Sequence, residues 1–176
     1  MRELDKIQEA EHFYSQMVKE KENKDSFKFN LSAFLSSARS VLQYALKEVL
    51  TKDGGKEWYF FQIDKNKIVK YLGNKRNINI HKEPVSFRRG YVIHTSETIY
   101  IGDSVSMVVK DRDGNIKSES HTKLQPVKSA IDRGLIESKY SFDDWPGSED
   151  IFLICQEYLK ELREIIKDGR KRRFLT

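Results

Sequence analysis

The stretch Lys75–Pro84, KRNINIHKEP, holds the residues best suited to chemistry: Arg76, the polar Asn77 beside it, and His81 five positions after Arg76. An arginine keeps its charge at every accessible pH, and an imidazole titrates near neutrality. Phosphodiester chemistry uses both. The imidazole takes or gives a proton, and the guanidinium holds the charge that builds on the phosphoryl oxygens. The same spacing recurs at Arg89 and His94, and Arg88 to His94 is one residue longer. Geometry separates the cases. Tyr91–Thr95 reads as a strand, in which residues five apart point to opposite faces. Arg88 and His94 share a face there but stand roughly 20 Å apart at the rise of a strand. Arg76 and His81 instead end a helical pattern, with an axial separation of about 7.5 Å. A last turn that unwinds ahead of Pro84 lets the long arginine close that distance.

The elements that must position this pair are mostly helical. A 3.6-residue period over 3–22 places Leu4, Ile7, Ala10, Phe13, Tyr14, Met17 and Val18 on one side. Asn23–Ser26 reads as a linker, and Asn30 as the N-cap of a second helix over 31–52. That helix carries the cleanest stripe in the chain: Leu31, Phe34, Leu35, Ala38, Val41, Leu42, Ala45, Leu46 and Val49. Ser36, Ser37 and Ser40 keep it slim enough for a close helical neighbour. Arg39 borders the stripe and reads as a snorkelling or ion-paired arginine, with an active-site role as the alternative. Gly54 and Gly55 stop the helix. A third helix spans 56–80, with Trp58, Phe61, Ile68, Val69 and Leu72 inward.

After Pro84 the period changes to two. Alternation through Tyr91, Ile93, Ile99, Ile101, Val105, Met107 and Val109, with Asp113-Gly114 as a hairpin signal, predicts three or four antiparallel strands within 85–123. The segment 124–136 reads as a short amphipathic helix, and 139–147 as a loop pinned by Phe142 and Trp145. Ser148 caps a last helix over 148–168, whose core face is Ile151, Ile154, Cys155, Tyr158, Leu159, Leu162, Ile165 and Ile166. Gly169 ends it, and 169–176 is expected to be a mobile basic tail. The expected fold is mainly α: one domain over 1–176, an antiparallel four-helix, up-down bundle with a small antiparallel β insert between its third and fourth helices.

Composition narrows the function classes. The chain of 176 residues has a net charge of +5, with 34% charged residues. The excess lies in Lys70–Lys82, Arg88–Arg89 and Arg170–Arg173, so Lys75, Lys82, Arg170, Lys171, Arg172 and Arg173 are candidates for contact with nucleic-acid phosphates. A single cysteine, Cys155, excludes an internal disulfide and falls on an apolar stripe. Four scattered histidines form no ligand spacing, so no metal site and no cofactor is expected. The opening MRELDKIQEAEHF lacks a signal-type apolar core, and no run reaches membrane-spanning length. A cytoplasmic protein without a membrane partner is expected.

Arg76-Asn77-x3-His81 near the end of the third helix, preceded by FNLSAFLSSARSVLQYAL, resembles the HEPN superfamily of prokaryotic toxins and RNA-cutting enzymes, in particular bacterial HEPN-like proteins of this size. The resemblance covers the four helices and not the strands. It implies a metal-independent endoribonuclease that acts as a homodimer, two Arg–His motifs sharing one cleft. His81 would be general base or acid for attack of the RNA 2′-OH on the adjacent phosphate, leaving 2′,3′-cyclic phosphate ends. Arg76 would hold the phosphate, and Asn77 would orient the pair. A toxin–antitoxin or defence setting goes with this, and with it an antitoxin or a nucleotidyltransferase-type protein as partner. Other members are inactive and bind RNA, nucleotides or proteins. In a third, purely structural alternative Arg76 is tied to an acidic group and His81 caps its own helix.

Overall fold

The structure, a computed structural model, describes residues 2–94, 98–101, 104–123 and 136–176. They form five helices and five strands: α1 (Arg2–Lys19), α2 (Lys24–Val49), α3 (Gly55–Lys65), α4 (Lys67–His81), β1 (Phe87–His94), β2 (Thr98–Ile101), β3 (Ser104–Lys110), β4 (Ile116–Lys123), β5 (Ile136–Phe142) and α5 (Ile151–Lys171). The chain divides into two compact units, one of residues 1–85 with Phe152–Thr176, the other Ser86–Ile151. The expected four-helix bundle with a small β insert is therefore corrected. The helices number five, and the strands build a five-stranded sheet within a compact unit of its own.

The extra helix comes from Asn66. Its backbone is extended, with φ −110° and ψ 107°, and its side chain accepts a hydrogen bond from Val69 N at 3.1 Å. That capping bond starts α4 and ends the helix predicted over 56–80. The break resets the helical phase. Trp58, Tyr59 and Gln62 are buried, while Phe61, expected inside, is 65% exposed. A second asparagine moves another boundary. Asn23 Oδ1 accepts from Asp25 N and Ser26 N, both at 3.1 Å, so α2 begins at Lys24 and takes in both the predicted linker and the predicted cap Asn30. Phe27 anchors the added turn, fully buried, with its ring 5.5 Å from that of Phe152.

The stripes predicted on α2 and α5 make the core of the helical unit. Leu31, Phe34, Leu35, Ala38, Val41, Leu42, Ala45 and Val49 are buried, as are Ile154, Cys155, Tyr158, Leu159, Leu162, Ile165 and Ile166. Edge-on ring contacts join Tyr14 to Phe152 and Phe34 to Tyr158, and a tilted one joins Tyr14 to Phe34. On α1, Ile7, Ala10 and Met17 are buried, and Ser37 Oγ donates to Glu9 Oε1 at 2.7 Å.

The end of the chain is docked, which corrects the expected mobile tail. Helix α5 continues past Gly169 to Lys171. Arg173 then takes φ 63°, and Phe174 N and Leu175 N both donate to Gly169 O, at 2.8 and 3.2 Å. This is the left-handed turn that closes many helices. It buries Leu175 and sets the Phe174 ring 5.4 Å from Trp58. A Cβ on Gly169 would stand 2.7 Å from both Leu175 Cδ1 and Trp58 Cη2, so the closure needs a glycine there.

In the other unit the strands run antiparallel in the order β4-β3-β2-β1-β5. β5 returns beside β1, with Phe87 opposite Phe142, so 139–142 is strand and not loop. Asp111–Asn115 turns β3 into β4, Gly114 at φ 86° and Asp111 Oδ1 accepting from Asp113 N and Asn115 N at 2.9 Å. The amphipathic helix predicted at 124–136 falls almost wholly outside the described residues; Ile136 opens β5. Helix α5 starts at Ile151, three residues after the predicted cap Ser148. Asp150 instead accepts from Tyr140 N at 3.0 Å.

Candidate functional site

Helix α4 carries the motif and stays helical through it. Lys82 N still bonds Ile78 O at 2.9 Å, so the last turn does not unwind ahead of Pro84. Five residues of α-helix rotate by about 500°, which leaves Arg76 and His81 about 140° apart around the axis. Asn77 lies between them. Its Oδ1 accepts from Arg76 Nη1 at 3.5 Å, a long bond, and it sits four residues before His81, on the neighbouring turn of the same face. The structure thus joins Arg76 to Asn77. His81, exposed at the last position of α4, has no hydrogen bond or ion pair among the described residues.

Position 76 lies on the side of α4 that meets α2. Two contacts set the seam between these helices. Asn79 Nδ2 donates to Ser32 Oγ at 2.7 Å, and Arg39 Nη1 lies 3.6 Å from where a Cβ on Gly73 would stand. Gly73, Arg76 and Asn79 are spaced by three, so Arg76 lies between those contacts, on the stripe that faces α2. Opposite are Ser32, Ser36 and Ser40. The last two bond back to carbonyls of their own helix at 3.0 and 2.9 Å, which leaves a slim surface. The Arg76 Nε is enclosed and unpartnered. No carboxylate pairs with Arg76 among the described residues.

Asn79 also defines the helix exit. Its Oδ1 accepts from Val85 N at 3.2 Å, and Val85 is buried. One side chain therefore ties α2, α4 and the chain beyond Pro84. Sequence reading passed over Asn79; its signal is a poor helix former held inside a helix on the side that packs.

Arg39 is the second residue whose place differs from expectation. Its charge acts on the phenols of Tyr59 and Tyr158, and its Nε is enclosed without a partner. It has no ion pair among the described residues. Burial pushes both phenols above their ordinary value of 10, and the nearby charge of Arg39 opposes this without cancelling it. Both phenols stay protonated at neutral pH and cannot balance that charge.

The remaining basic candidates differ in availability. Lys75 is buried, its ammonium 5.7 Å from the Tyr71 ring. Lys82, Lys171 and Arg173 are exposed. Arg172 Nε bonds Asp168 Oδ2 at 2.9 Å, and Arg170 is half-buried with Nε and Nη2 enclosed and unpartnered. The arginines of the rival spacings are engaged within the sheet unit. Arg88 pairs with Asp143 at 2.9 Å, and Arg89 bonds Ser138 Oγ at 2.9 Å and lies over the Tyr91 and Tyr140 rings at 4.9 and 5.8 Å. Cys155 is buried. No group of three metal-ligating side chains occurs among the described residues, and no helix there is long and apolar enough to cross a membrane.

Comparison with family models, with curated proteins and with solved structures finds no match to this chain.

Proposed function

We propose that this protein is a metal-independent endoribonuclease of HEPN type that works as a homodimer. The observation that carries this is Arg76: a guanidinium without a carboxylate partner among the described residues, on a helix that presents His81 exposed five residues later. Arg76 binds the scissile phosphate and offsets the charge of the transition state. His81 removes the proton from the 2′-OH or delivers one to the leaving 5′ oxygen. Asn77, already bonded to Arg76, orients the phosphate end. Because Arg76 and His81 diverge by about 140° on one helix, the working pair takes Arg76 from one protomer and His81 from the other.

The test is cleavage of single-stranded RNA by purified protein with EDTA present. Cut ends should carry 2′,3′-cyclic phosphate, and DNA, which lacks the nucleophile, should survive. His81→Ala and Arg76→Ala should each lose about 10²-fold or more in rate. His94→Ala should change little. Wild type that cuts no RNA, or cuts only with added divalent metal, overturns the proposal. The same divergence favours a second reading, a non-catalytic RNA- or nucleotide-binding module. That reading is selected if RNA binds through Arg76 but is never cut.

A further inference from the structure

We propose that Ser106, His121 and Glu119 form a serine-nucleophile site that cleaves activated carboxylic esters. The site lies wholly within the unit Ser86–Ile151 and uses none of the residues assigned to RNA cleavage, so either reading can fail without the other.

Three observations carry it. First, the side chains are linked in the order that such chemistry needs. Ser106 Oγ stands 2.8 Å from His121 Nδ1, and His121 Nε2 stands 3.3 Å from Glu119 Oε1. Nucleophile and base lie within hydrogen-bond reach, and a third group orients the base. With Nε2–H donating to Glu119, Nδ1 is left bare to accept from the serine hydroxyl. Second, the sheet fixes that order. Ser106 and His121 are direct partners across β3 and β4, and Glu119 stands two residues before His121, so all three share one face. The backbone ladder between the strands holds this register, and contacts between side chains as exposed as these add little to stability. Third, the site is open to a substrate. All three residues are exposed. Val108, opposite Glu119 and two residues from Ser106, adds an exposed apolar side chain to the same face, on which a small acyl group can rest.

Ser106 Oγ gives its proton to His121 Nδ1 and bonds to the carbonyl carbon of the ester. The bond from that carbon to the leaving oxygen breaks, and the leaving oxygen takes the proton from Nδ1. Water then gives a proton to Nδ1 and attacks the acyl carbon. The bond to Oγ breaks, and Oγ takes the proton back. Ester and water become acid and alcohol, and no electrons change hands. Glu119 is a positioning residue that holds the imidazole in the tautomer this cycle uses. A face open to water stabilises a tetrahedral oxyanion only weakly. The leaving group must therefore depart easily, which an aryl ester allows and a peptide bond does not.

The experiment treats the full chain with p-nitrophenyl acetate and, separately, with diisopropyl fluorophosphate. The wild type should hydrolyse the ester, and the fluorophosphate should phosphorylate Ser106, seen as a mass gain on that residue, and stop hydrolysis. Ser106→Ala and His121→Ala should each lose about 10²-fold or more of the rate. Glu119→Gln should lower kcat and leave KM unchanged, which a merely structural role would not do. All three variants change exposed side chains and should unfold at the wild-type temperature. Wild type that hydrolyses the ester no faster than Ser106→Ala overturns the proposal, because the remaining histidines then account for the rate. So does a fluorophosphate adduct that misses Ser106. Should Ser106→Ala fail to fold, the adduct on the wild type makes the same decision alone.

Discussion

At the scale of single residues, what separates Arg76 from its rivals is that its one side-chain bond among the described residues is the long one to the neighbouring Asn77. Arg88 pairs with Asp143, Arg89 is sandwiched between tyrosines, and Arg172 is bonded to Asp168. Each of those arginines spends its donors on the fold. Asp168 shows the structural use of charge most clearly. Its Oδ2 accepts from Trp58 Nε1 at 2.7 Å, Gln62 Nε2 at 3.0 Å and Arg172 Nε at 2.9 Å. Burial pushes this carboxyl up, but the bonds from Trp58 and Arg172 outweigh it and hold it below its ordinary value of 3.8. A carboxylate held low in the folded state adds stability above the unfolded value and loses it as pH falls through the folded value. Asp168→Ala should therefore destabilise at pH 7 by about 1–3 kcal/mol, the cost of leaving the buried Trp58 N–H unpaired. The gap between the two proteins should shrink on acidification below about pH 4. Urea titrations of both proteins at neutral and acid pH measure this. A gap that persists unchanged in acid would remove Asp168's charge from the account.

At the scale of elements, two asparagines decide where helices begin, and their effects reach the site. Asn66 separates α3 from α4 and so sets the rotational phase of Arg76, Asn77 and His81. Asn66→Ala removes the bond to Val69 N and should cost about 1 kcal/mol, or about 2–4 °C in Tm. It also favours a continuous helix over 56–80, which would rotate the motif. RNA cleavage should accordingly fall by more than the Tm loss explains. An Asn66→Ala enzyme with the same Tm loss and full activity would show that the phase is held from elsewhere, by Asn79 and Ser32. These asparagines mark what periodicity can and cannot reveal. The apolar stripes of α2 and α5 were legible because every third or fourth residue is large and apolar, and one buried face dictates that pattern. Asn23 and Asn30 look alike as caps in one dimension; the burial of Phe27 decides between them. The split at Asn66 was hidden because Trp58, Phe61, Ile68 and Leu72 mimic one helical face across a break. Arg39 looked like a snorkelling residue because its meeting with Gly73 depends on how two helices cross. The docking of Leu175 against Gly169 needed the same three-dimensional information.

At the scale of the molecule, the charge of +5 is spread so that few cations stand free at the proposed site. Lys82 at the exit of α4 and Lys171 and Arg173 at the end of α5 are exposed, whereas Lys75 is buried and Arg172 engaged. Removal of 170–173 as a block would unseat Leu175 and Phe174, so point changes are the cleaner probe. Lys82→Gln should lower the salt slope of RNA binding by about 0.7, one released counterion on a single strand. Arg172→Gln should leave the slope nearly unchanged. The larger requirement is the proposed dimer. A two-fold axis through the face that bears α4 sets Arg76 of each protomer against His81 of the other, which resolves their divergence on one helix. The protein should sediment as a dimer at micromolar concentration. Mixing the two inactive proteins Arg76→Ala and His81→Ala then gives a stringent check. In a mixed dimer the His81→Ala chain supplies an intact Arg76 and the Arg76→Ala chain an intact His81, which rebuilds one of two sites. Random exchange makes half the dimers mixed, so about a quarter of wild-type activity should return. No recovery after verified subunit exchange, with both parent proteins folded, would show that Arg76 and His81 do not work across the interface.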